Sequence, residues 1–449
     1  MKDIYERPLI IKHRAGIANK FGRNNAGATM PSIDGVSVKD LVGRHGSPLF
    51  IFSERTVRKN YRDAYRSFSL RYPKVRFAWS YKTNYLDAIC RIYHQEGSWA
   101  EVVSEHEYAM ARRNGVPGDS IIYNGPYKPR EALRTAIAEG AQIHLDHFEE
   151  LFQLEKIAEE ENRTVNAALR LNMDTGIHPA WDRFGFNYDN EEAIDAARRI
   201  HAGGRLRLNG VHTHIGTCIL DPAAYRRAAE KIVAFIKRVE SELGFRIEYV
   251  DMGGGFPSAS TLHEQYAPGF ESNPSLDEYA EAVTSALLAA GFSPDRLPTL
   301  VLETGRALVD GAGYLATSVV ANKRLACGAR AVIVDAGVNL AFTSFWYRHT
   351  VRTVEEKQGM TEDTVIYGPL CMNIDVLRPS LRLPSLDAGD LLVLGPVGAY
   401  NVTQWLQFIR MRPAVVLVGE RGETGVIRVA EDISAIKDFE RLPDWLERR

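Results

Sequence analysis

The stretch RFAWSYK, residues 76–82, is the first of eight short apolar runs that follow one another through the middle of the chain and decide its fold. Each run has the length and composition of a buried strand, and a stretch of helical character, such as Ala223 to Leu243, separates it from the next. The eight runs are Arg76 to Lys82, Trp99 to Ser104, Ile121 to Gly125, Gln142 to Asp146, Asn166 to Asn172, Leu208 to Gly216, Ile247 to Gly255 and Thr299 to Gly305. Strands that alternate with helices form parallel βαβ units, and eight such units predict a closed (β/α)8 barrel.

The length and charge of the chain narrow the remaining possibilities. A barrel of this kind needs roughly 250 residues, so a chain of 449 residues is expected to carry a second domain. The formal net charge of -2 provides no attraction for nucleic acid or for an anionic membrane. Met1 to Arg7 lacks the apolar core of a signal peptide, and no apolar run is long enough to cross a bilayer. We therefore expect a cytoplasmic protein.

The sequence beyond the eighth run predicts a mainly β domain, because short β-like runs alternate there with glycine turns and few long helices. These runs are Ala316 to Ala321, Ala331 to Asp335, Thr364 to Tyr367, Asp390 to Leu394, Ala414 to Val418 and Gly425 to Val429. Two strand-like pieces before the barrel, Val36 to Val38 and Pro48 to Phe52, are expected to complete this domain. We place the barrel at residues 52–311 and the β domain at residues 1–51 and 312–449.

Lys82 closes the first run and is a candidate for covalent chemistry. A lysine at the exit of a buried strand has partly apolar surroundings, which are expected to lower its pKa and prepare its amine for Schiff-base formation. Taken alone, such a lysine is more often a structural or snorkelling charge. The residues at the ends of the other strands favour the chemical role.

Three consecutive glycines, Gly253, Gly254 and Gly255, end the seventh run. Backbone N–H groups in such a stretch can approach an anion closely, and loops late in the barrel commonly bind phosphate. A glycine-rich turn without a ligand is the alternative.

His212 and His214 flank Thr213 on the sixth strand, so their side chains point to the same side. A histidine pair of this kind is compatible with a metal site. The sequence places no further histidine at a strand end where it would complete such a site, and Arg306 follows closely after Glu303. We therefore expect no metal.

Glu303 and Arg306 bring a carboxylate and a guanidinium to the end of the eighth run, where a simple ion pair is one interpretation. Together with Lys82, the glycines and an imidazole, they suggest pyridoxal phosphate instead. This aldehyde cofactor needs an amine, its phosphate needs N–H donors, and its pyridine nitrogen needs an acidic partner.

These residues lie in a series of motifs that resembles a known family. The motifs are YKTN (81–84), EVVS (101–104), HTHIGT (212–217), the triple glycine, ETGR (303–306), GPLC (368–371) and GAY (398–400). In this order and spacing, along nearly the whole chain, they resemble the fold-type III pyridoxal-phosphate decarboxylases, most closely the diaminopimelate decarboxylase branch. The resemblance implies an alanine racemase-like (β/α)8 barrel with a mainly β C-terminal domain, and α-decarboxylation of an amino acid.

The resemblance also assigns roles to residues. Lys82 would hold the cofactor as an internal aldimine, His214 would stack on its ring, and Glu303 would keep its pyridine nitrogen protonated. Further contacts to the rim or the phosphate of the cofactor are implied for Glu101, Arg170, Thr217, Gly253, Gly254, Gly255 and Tyr400, and Arg306 would meet either the phosphate or the substrate.

A homodimer with shared active sites is implied as well. Cys371 would come from the partner subunit and return a proton to the α-carbon after carbon dioxide leaves a quinonoid; an inert buried thiol is the alternative. Arg183 and Asp375 correspond to a pair that joins the subunits across the dimer in this family.

Two other functions remain open. Alanine racemases of the same fold use an arginine at the pyridine nitrogen, so Glu303 favours decarboxylation over racemisation or epimerisation. A non-catalytic regulatory homologue is the second alternative, and the presence of Lys82, Glu303 and Cys371 argues against it.

The family's contacts to the distal end of diaminopimelate are altered in this chain. The expected Arg-Pro pair, whose arginine binds the distal carboxylate, is replaced by Thr343 and Ser344, and the glutamate that contacts the distal amine is replaced by Met372. Unpaired charges in a buried pocket are costly, so we predict a substrate other than diaminopimelate. The residues predicted to contact the substrate are Arg306, Thr343, Tyr347, Met372 and Tyr400.

The distal group of the substrate is not identified by the sequence. The acid that ornithine decarboxylases use for a terminal amine has no counterpart, because the nearest positions are Ala336 and Met372. Arg348, Arg378 and His349 are alternative ligands for an anion, but we expect them to be solvent-facing charges. The resulting hypothesis is a homodimeric decarboxylase of a modified or carrier-linked amino acid.

Overall fold

The computed structural model describes residues 29–447. In this part of the chain the strands are β1 (Ser32–Ile33), β2 (Val36–Ser37), β3 (Leu49–Ser53), β4 (Val75–Ser80), β5 (Trp99–Val102), β6 (Ile121–Tyr123), β7 (Gln142–Leu145), β8 (Val165–Asn172), β9 (Phe186–Asn187), β10 (Leu206–Thr213), β11 (Tyr249–Asp251), β12 (Thr299–Leu302), β13 (Gly313–Arg324), β14 (Arg330–Val334), β15 (Thr350–Thr353), β16 (Glu362–Tyr367), β17 (Val376–Leu383), β18 (Leu391–Gly395), β19 (Val415–Val418) and β20 (Thr424–Arg428). The helices are α1 (Val38–His45), α2 (Glu54–Ser69), α3 (Asp87–Gln95), α4 (Glu105–Arg113), α5 (Arg130–Glu139), α6 (Phe148–Glu160), α7 (Glu192–Gly203), α8 (Pro222–Leu243), α9 (Gly269–Ser272), α10 (Leu276–Ala289), α11 (Arg306–Val309), α12 (Ser434–Lys437) and α13 (Asp444–Glu447).

Eight parallel strands form a closed barrel in the order β4-β5-β6-β7-β8-β10-β11-β12. The barrel closes where β12 pairs with β4, with Leu302 opposite Phe77. Each barrel strand lies within or overlaps one of the eight apolar runs, so the predicted (β/α)8 barrel is confirmed. Helices cover the outside, and α8, for example, buries Ala228, Ile232 and Val239 on one face.

The interior of the barrel is filled by an apolar layer of alternate residues. Ala78, Ile122, Ala168, Tyr249 and Val301 pack together there. Their sequence neighbours, such as Phe77 and Leu302, face the helices and belong to the main hydrophobic core. This alternation follows from the period-two geometry of a strand, which sends successive side chains to opposite faces.

The next inward position on each strand, toward its C-terminal end, carries a polar side chain. We call these eight residues the polar ring: Ser80, Glu101, Asn124, His144, Arg170, His212, Asp251 and Glu303. The strand register brings neighbouring members level, because Ser80 lies opposite Glu101 and His212 lies opposite both Arg170 and Asp251. The polar ring therefore closes the barrel at the end where this fold places its active sites.

The second domain is mainly β, as predicted. One sheet has the order β17-β16-β14-β13-β3-β19-β20, and β18 adds to it by pairing with β13 and β15. Strand β3 lies before the barrel in sequence and pairs with both β13 and β19, so the N-terminal segment completes the sheet. The boundaries at residues 52 and 311 stay a prediction, and residues 1–28 and 448–449 of the predicted β domain lie outside the described residues.

The sequence analysis did not identify β15 and β17. Strand β15 is short, and β17 contains Pro379, a residue that interrupts strand patterns and is tolerated mainly at sheet edges. Strand β17 is the outermost strand in the order given above, which is consistent with the proline.

None of the helices between residues 29 and 447 combines the length and the apolar character that a transmembrane segment requires.

Candidate active site

A cavity of about 490 Å³ opens above the polar ring. Its walls come from the ends of several barrel strands, from the loop after β8 and from the β domain. The lining residues are Ser80, Lys82, Trp181, His214, Thr217, Gly254, Gly255, Phe256, Glu303, Gly305, Arg306 and Tyr400. Eight of the residues predicted to bind the cofactor are therefore brought together around one cavity: Lys82, His214, Thr217, Gly254, Gly255, Glu303, Arg306 and Tyr400.

Lys82 lies in the turn after β4 and forms an ion pair with Glu101. Its Nζ is 2.5 Å and 2.7 Å from the two carboxylate oxygens of Glu101, which is buried at the end of β5. Burial alone would lower the pKa of the Lys82 ammonium, but the carboxylates of Glu101 and Glu303 outweigh it and raise this pKa above its usual range. The predicted lowering of the lysine pKa is wrong for the protein as described, because the sequence did not reveal these two acids beside the amine.

Asn124 connects the lysine pair to Glu303 and was not identified from the sequence. Its Nδ2 donates to a carboxylate oxygen of Glu303 and lies 3.3 Å from Oε1 of Glu101. One amide therefore bridges two buried carboxylates that belong to different strands. The available signal was its position two residues after the inward-facing Ile122, at the end of a strand.

Glu303 is buried at the floor of the cavity and has a second polar neighbour in His212. Nε2 of His212 lies 3.3 Å from Oε2 of Glu303. Burial lowers the pKa of His212 well below its usual range, with a further lowering by Arg170, so this imidazole is neutral. Burial also raises the pKa of Asp251, and the charge of Glu303 adds to this effect. Asp251 therefore favours its protonated form beside Glu303.

His144, His212, Asp251 and Glu303 bring ligand-type atoms within 4.8 Å of one another. The expectation that no further histidine meets His212 is wrong, because β7 turns His144 inward and its ring lies 4.8 Å from that of His212. Nδ1 of His144, both ring nitrogens of His212 and Oδ2 of Asp251 are buried and have no hydrogen-bond partner among residues 29–447. Burial lowers the pKa of His144, and nearby cationic side chains such as Arg170 oppose a further positive charge.

His214 forms one wall of the cavity, and its ring orientation is set by the backbone. The N–H of Gly254 donates to Nδ1 of His214 over 3.1 Å. Burial, reinforced by the charges of Arg170 and Lys82, lowers the pKa of His214 to about 3, so the ring is neutral at physiological pH. Trp181, from the loop after β8, places its ring centroid 5.5 Å from that of His214 and narrows the cavity.

The three glycines serve packing as well as anion binding. A Cβ at Gly254 would lie 2.5 Å from the carbonyl oxygen of Glu303, and one at Gly255 would lie 2.3 Å from that of Gly216. The N–H of Gly253 donates to Asp251 and that of Gly254 to His214. Among these three glycines, only Gly255 has a backbone N–H without an acceptor in the described part of the chain. One N–H group of this loop, rather than three, is therefore free to bind an anion.

Arg306 is held between two tyrosines. Its guanidinium carbon lies 4.8 Å from the ring centroid of Tyr347 and 4.7 Å from that of Tyr400. Its Nη1 is buried and has no hydrogen-bond partner among residues 29–447. The hydroxyl of Tyr347 lies 2.6 Å from Sγ of Cys218, and this contact orients Tyr347. An oriented guanidinium with a free N–H is suited to bind an oxyanion.

Arg170 belongs to the polar ring but not to the cavity wall. Its Nη1 lies 3.6 Å from Oδ1 of Asp146, and its guanidinium carbon lies 4.6 Å from the ring centroid of Phe184. Burial lowers the pKa of Arg170, partly opposed by Asp146 and Glu303. The structure therefore places Arg170 below the cavity, beside the buried acids.

Comparison with known proteins agrees with this geometry. The family described as "Pyridoxal-dependent decarboxylase, pyridoxal binding domain" matches residues 55–310. A diaminopimelate decarboxylase of Methanothermobacter thermautotrophicus is 31% identical over 438 residues, covering 93% of this chain and 97% of the relative.

The chain belongs to the pyridoxal-dependent decarboxylases. The structure of diaminopimelate decarboxylase from M. jannaschii in complex with L-lysine matches with a TM-score of 0.84 at 28% identity, covering 92% of this chain and 96% of that one. A relative from Niallia circulans, named L-glutamyl-[BtrI acyl-carrier protein] decarboxylase, is 26% identical over 429 residues, covering 90% of this chain and 96% of the relative.

The residues around the cavity of this decarboxylase fit pyridoxal phosphate. Lys82 provides the amine, Glu303 lies in the floor as an acid, and the neutral ring of His214 forms a flat wall. The buried, unpartnered Nη1 of Arg306 and the free N–H of Gly255 are donors for a phosphate. These residues would hold the cofactor, which accounts for an otherwise unsatisfied buried guanidinium.

The predicted distal residues lie outside this cofactor cavity. Thr343 is buried, and its Oγ1 is 3.0 Å from both Nε2 of His349 and Oδ1 of Asn401. Met372 is partly buried and packs against the hydrophobic core. Thr343, which replaces the arginine expected from the family resemblance, is therefore bonded within its own domain. Contact of Thr343 and Met372 with substrate stays a prediction.

The predicted dimer residues are not paired within one chain. Cys371 is exposed and does not line the cavity of its own chain. Asp375 is buried and accepts hydrogen bonds from the N–H groups of Val338 and Leu370 at 2.8 Å and 2.7 Å. Arg183 is exposed and lies over the ring of Phe184. Their pairing across a dimer stays a prediction.

Replacing Asn124 tests the bridge between the two carboxylates. In Asn124→Leu the hydrogen bonds to Glu101 and Glu303 are lost, and a hydrogen bond to a charged group contributes about 1.5–3 kcal/mol. We expect roughly tenfold weaker retention of pyridoxal phosphate, measured from the visible absorbance during dialysis, and a lower thermal midpoint. Asn166→Leu, at the opposite end of the barrel, is the control, and equal behaviour of the two variants would contradict a bridging role.

The buried His349 predicts a specific pH dependence of stability. Burial lowers the pKa of His349 to about 4, so between about pH 6.5 and pH 4 the unfolded chain binds more protons than the folded chain. The free energy of unfolding therefore falls as the pH falls, by roughly 1 kcal/mol between pH 6.5 and 5.5 for one such histidine. His349→Gln should lose less thermal stability on acidification than the wild type, whereas the exposed control His201→Gln should follow the wild type. An unchanged slope in His349→Gln would refute the prediction.

Proposed function

We propose that this pyridoxal-phosphate-dependent amino-acid decarboxylase removes the α-carboxylate of an amino acid other than diaminopimelate. The observation that carries the proposal is that Lys82, paired with Glu101, and Glu303 face one cavity. An amine at the rim and an acid in the floor are the two groups that this chemistry requires from the protein.

Lys82 and Glu101 act together. The ion pair holds Nζ of Lys82 against Glu101 of the polar ring. Glu101 is placed to accept a proton when the amine becomes a nucleophile. Ser80, whose hydroxyl lies 2.5 Å from the same carboxylate, keeps Glu101 oriented. Bound pyridoxal phosphate supplies the electron sink for the bond that breaks when carbon dioxide leaves.

Glu303 favours decarboxylation over racemisation. A carboxylate keeps a proton on the pyridine nitrogen of the cofactor, whereas the arginine of alanine racemases does not. Asn124 and His212 both contact Glu303, and neither carries a positive charge, because an amide is uncharged and the imidazole of His212 is neutral.

The residues expected to contact the distal end of the substrate support a substrate other than diaminopimelate. Thr343 is bonded to His349 and Asn401, and Met372 is apolar, so neither offers a charge to a distal amine or carboxylate. Leaving such groups unpaired would cost several kcal/mol of binding free energy. The relative that acts on a glutamyl group carried by an acyl-carrier protein supports a modified or carrier-linked amino acid as the substrate.

The active enzyme is proposed to be a homodimer. Cys371 is exposed and stands away from the cavity of its own chain, which supports a role in the site of a partner subunit. There its thiol would return a proton to the α-carbon of the product. The carboxylate of Asp375 binds the backbone of the loop that carries the cysteine and keeps this loop in one shape.

Lys82→Ala tests the assignment directly. We expect purified wild type to show the visible absorbance of bound pyridoxal phosphate and to release carbon dioxide from at least one amino acid in a screen. The variant should lose this absorbance and lower the rate roughly a thousandfold or more, whereas Lys59→Ala on the outer surface should change neither. Exchange of the α-proton without carbon dioxide release would indicate a racemase, and absence of the absorbance from the wild type would indicate a non-catalytic homologue.

Mixing two inactive variants tests the shared site. Cys371→Ala should retain the cofactor absorbance and lose correct protonation of the product. When it is unfolded and refolded together with Lys82→Ala, half of the dimers should contain one intact site, which restores about a quarter of wild-type activity. If Cys371 acts within its own chain, the mixture should stay inactive.

A further inference from the structure

Two arginines of the β domain, Arg348 and Arg378, have no carboxylate partner in the described part of the chain. Arg378 donates only to the backbone carbonyl oxygens of His349 and Ser380. The guanidinium of Arg348 makes no hydrogen bond or ion pair within residues 29–447. The Nε atoms of both arginines are buried and without a partner. The expectation of solvent-facing charges is therefore wrong for these side chains, which are only partly exposed.

The position of the two arginines connects them to the substrate side of the cavity. Arg348 follows Tyr347, the residue that packs on Arg306 in the cavity wall. The backbone N–H of Arg348 donates to the carbonyl oxygen of Thr261 over 2.8 Å, which anchors this segment to the loop after β11. Arg378 lies on β17, six residues after Met372, and reaches the backbone of His349. Arg378 thus contacts the residue that follows Arg348, and the ring of that residue, His349, lies 3.0 Å from Oγ1 of Thr343.

The two guanidinium groups influence each other. Burial, followed by the charge of Arg348, lowers the pKa of Arg378 to about 10. Two cations in a partly buried place repel one another, and this arrangement is unfavourable unless an anion lies between or beside them. Guanidinium pairs bind carboxylate and phosphate groups well, because their N–H donors match the spacing of the oxygen atoms.

The acid Asp310, which lies four residues after Arg306 in the chain, is already engaged. Asp310 acts on both Arg306 and His349 through its charge. Its carboxylate accepts hydrogen bonds from the hydroxyls of Ser258 and Ser260 and from the N–H of Ala399. It therefore makes no ion pair with Arg348 or Arg378.

We infer that Arg348 and Arg378 form an oxyanion subsite, which binds a carboxylate or phosphate group at the distal end of the substrate. The inference rests on the proposed function, since it names the substrate class of the same site. Two sources share this chemistry: the distal carboxylate of a free acidic amino acid, and the phosphate of a phosphopantetheine arm that carries an aminoacyl group. In both cases Arg348 and Arg378 would take the place of the arginine that the family resemblance implies for the distal carboxylate.

Inorganic phosphate is the first probe, used with the holoenzyme so that the cofactor's own phosphate site is filled. Calorimetric titration should detect binding to the wild type, weakened roughly 10- to 100-fold in Arg348→Met and in Arg378→Met. Arg352→Met is the matched control, because Arg352 is an exposed arginine four residues from Arg348 that has no ion-pair partner in the described chain. The control should bind phosphate like the wild type, and all three variants should keep the visible cofactor absorbance.

A comparison of substrates distinguishes the two sources of the anion. Carbon dioxide release is measured with glutamate and 2-aminoadipate, with their uncharged amides, and with glutamyl thioesters of pantetheine and of phosphopantetheine. A distal carboxylate predicts a preference for the free acids over the amides. A carrier phosphate predicts a preference for the phosphopantetheine thioester over the pantetheine thioester. In either case the preference should disappear in Arg348→Met and Arg378→Met through a raised KM.

Three results would overturn the inference while leaving the proposed function intact. The first is carbon dioxide release that favours uncharged or cationic amino acids. The second is phosphate binding that is equal in the wild type and in both arginine variants. The third is dissociation of the dimer in these variants with no change in KM, which would show that the arginines pair with acids of the partner subunit. Loss of the cofactor absorbance from the wild type would instead refute the proposed function itself.

Discussion

A continuous set of charged hydrogen bonds, from Lys82 through Glu101 and Asn124 to Glu303, holds the candidate active site in place. It joins the ends of four neighbouring strands, because barrel closure puts β12 next to β4. The amine and the floor acid can therefore face one cavity although 221 positions of sequence separate them. A change in the strand register would move these groups to the outer face of the barrel, since inward and outward positions alternate.

The polar ring explains how so many ionisable groups remain buried together. The histidines of the ring are neutral because burial lowers their pKa, and Asp251 favours its protonated form because Glu303 lies beside it. The charges that persist are paired, as in Lys82 with Glu101 and Arg170 with Asp146. In a low-dielectric interior this distribution costs less than a set of fully ionised groups. It also leaves Glu303 as the acid that faces the cavity.

The two domains divide the chemistry between them. The barrel contributes the amine, the floor acid and the imidazole wall, whereas the β domain contributes Tyr400 and Tyr347, which hold Arg306 from both sides. The cofactor region is built on rigid strand ends. The proposed substrate region is built on segments of the β domain, where Thr343 and Met372 differ from what the family motifs predict and where Arg348 and Arg378 lie. Specificity can therefore change without disturbing the catalytic centre.

The sequence by itself determined the barrel, the mainly β second domain and most of the cavity residues. Strand-length apolar runs and their polar ends are local patterns, and the order of the motifs is visible along the chain. The residues Asn124 and His144 escaped notice because their importance depends on neighbours from other strands. Whether a strand-end residue faces inward depends on a register that no short stretch of sequence specifies.

Only the tertiary structure decided the charge states and the surroundings of the arginines. The pKa of Lys82 is raised because Glu101 and Glu303 converge on it, although an isolated lysine at a strand exit predicts the opposite. The sequence predicts that Arg348 and Arg378 are ordinary surface charges. In the structure their Nε atoms are buried and have no hydrogen-bond partner among the described residues. The physical reason is the same in both cases. Electrostatic energies depend on distances and on burial in three dimensions, whereas the strand and helix patterns are set by neighbours in the sequence.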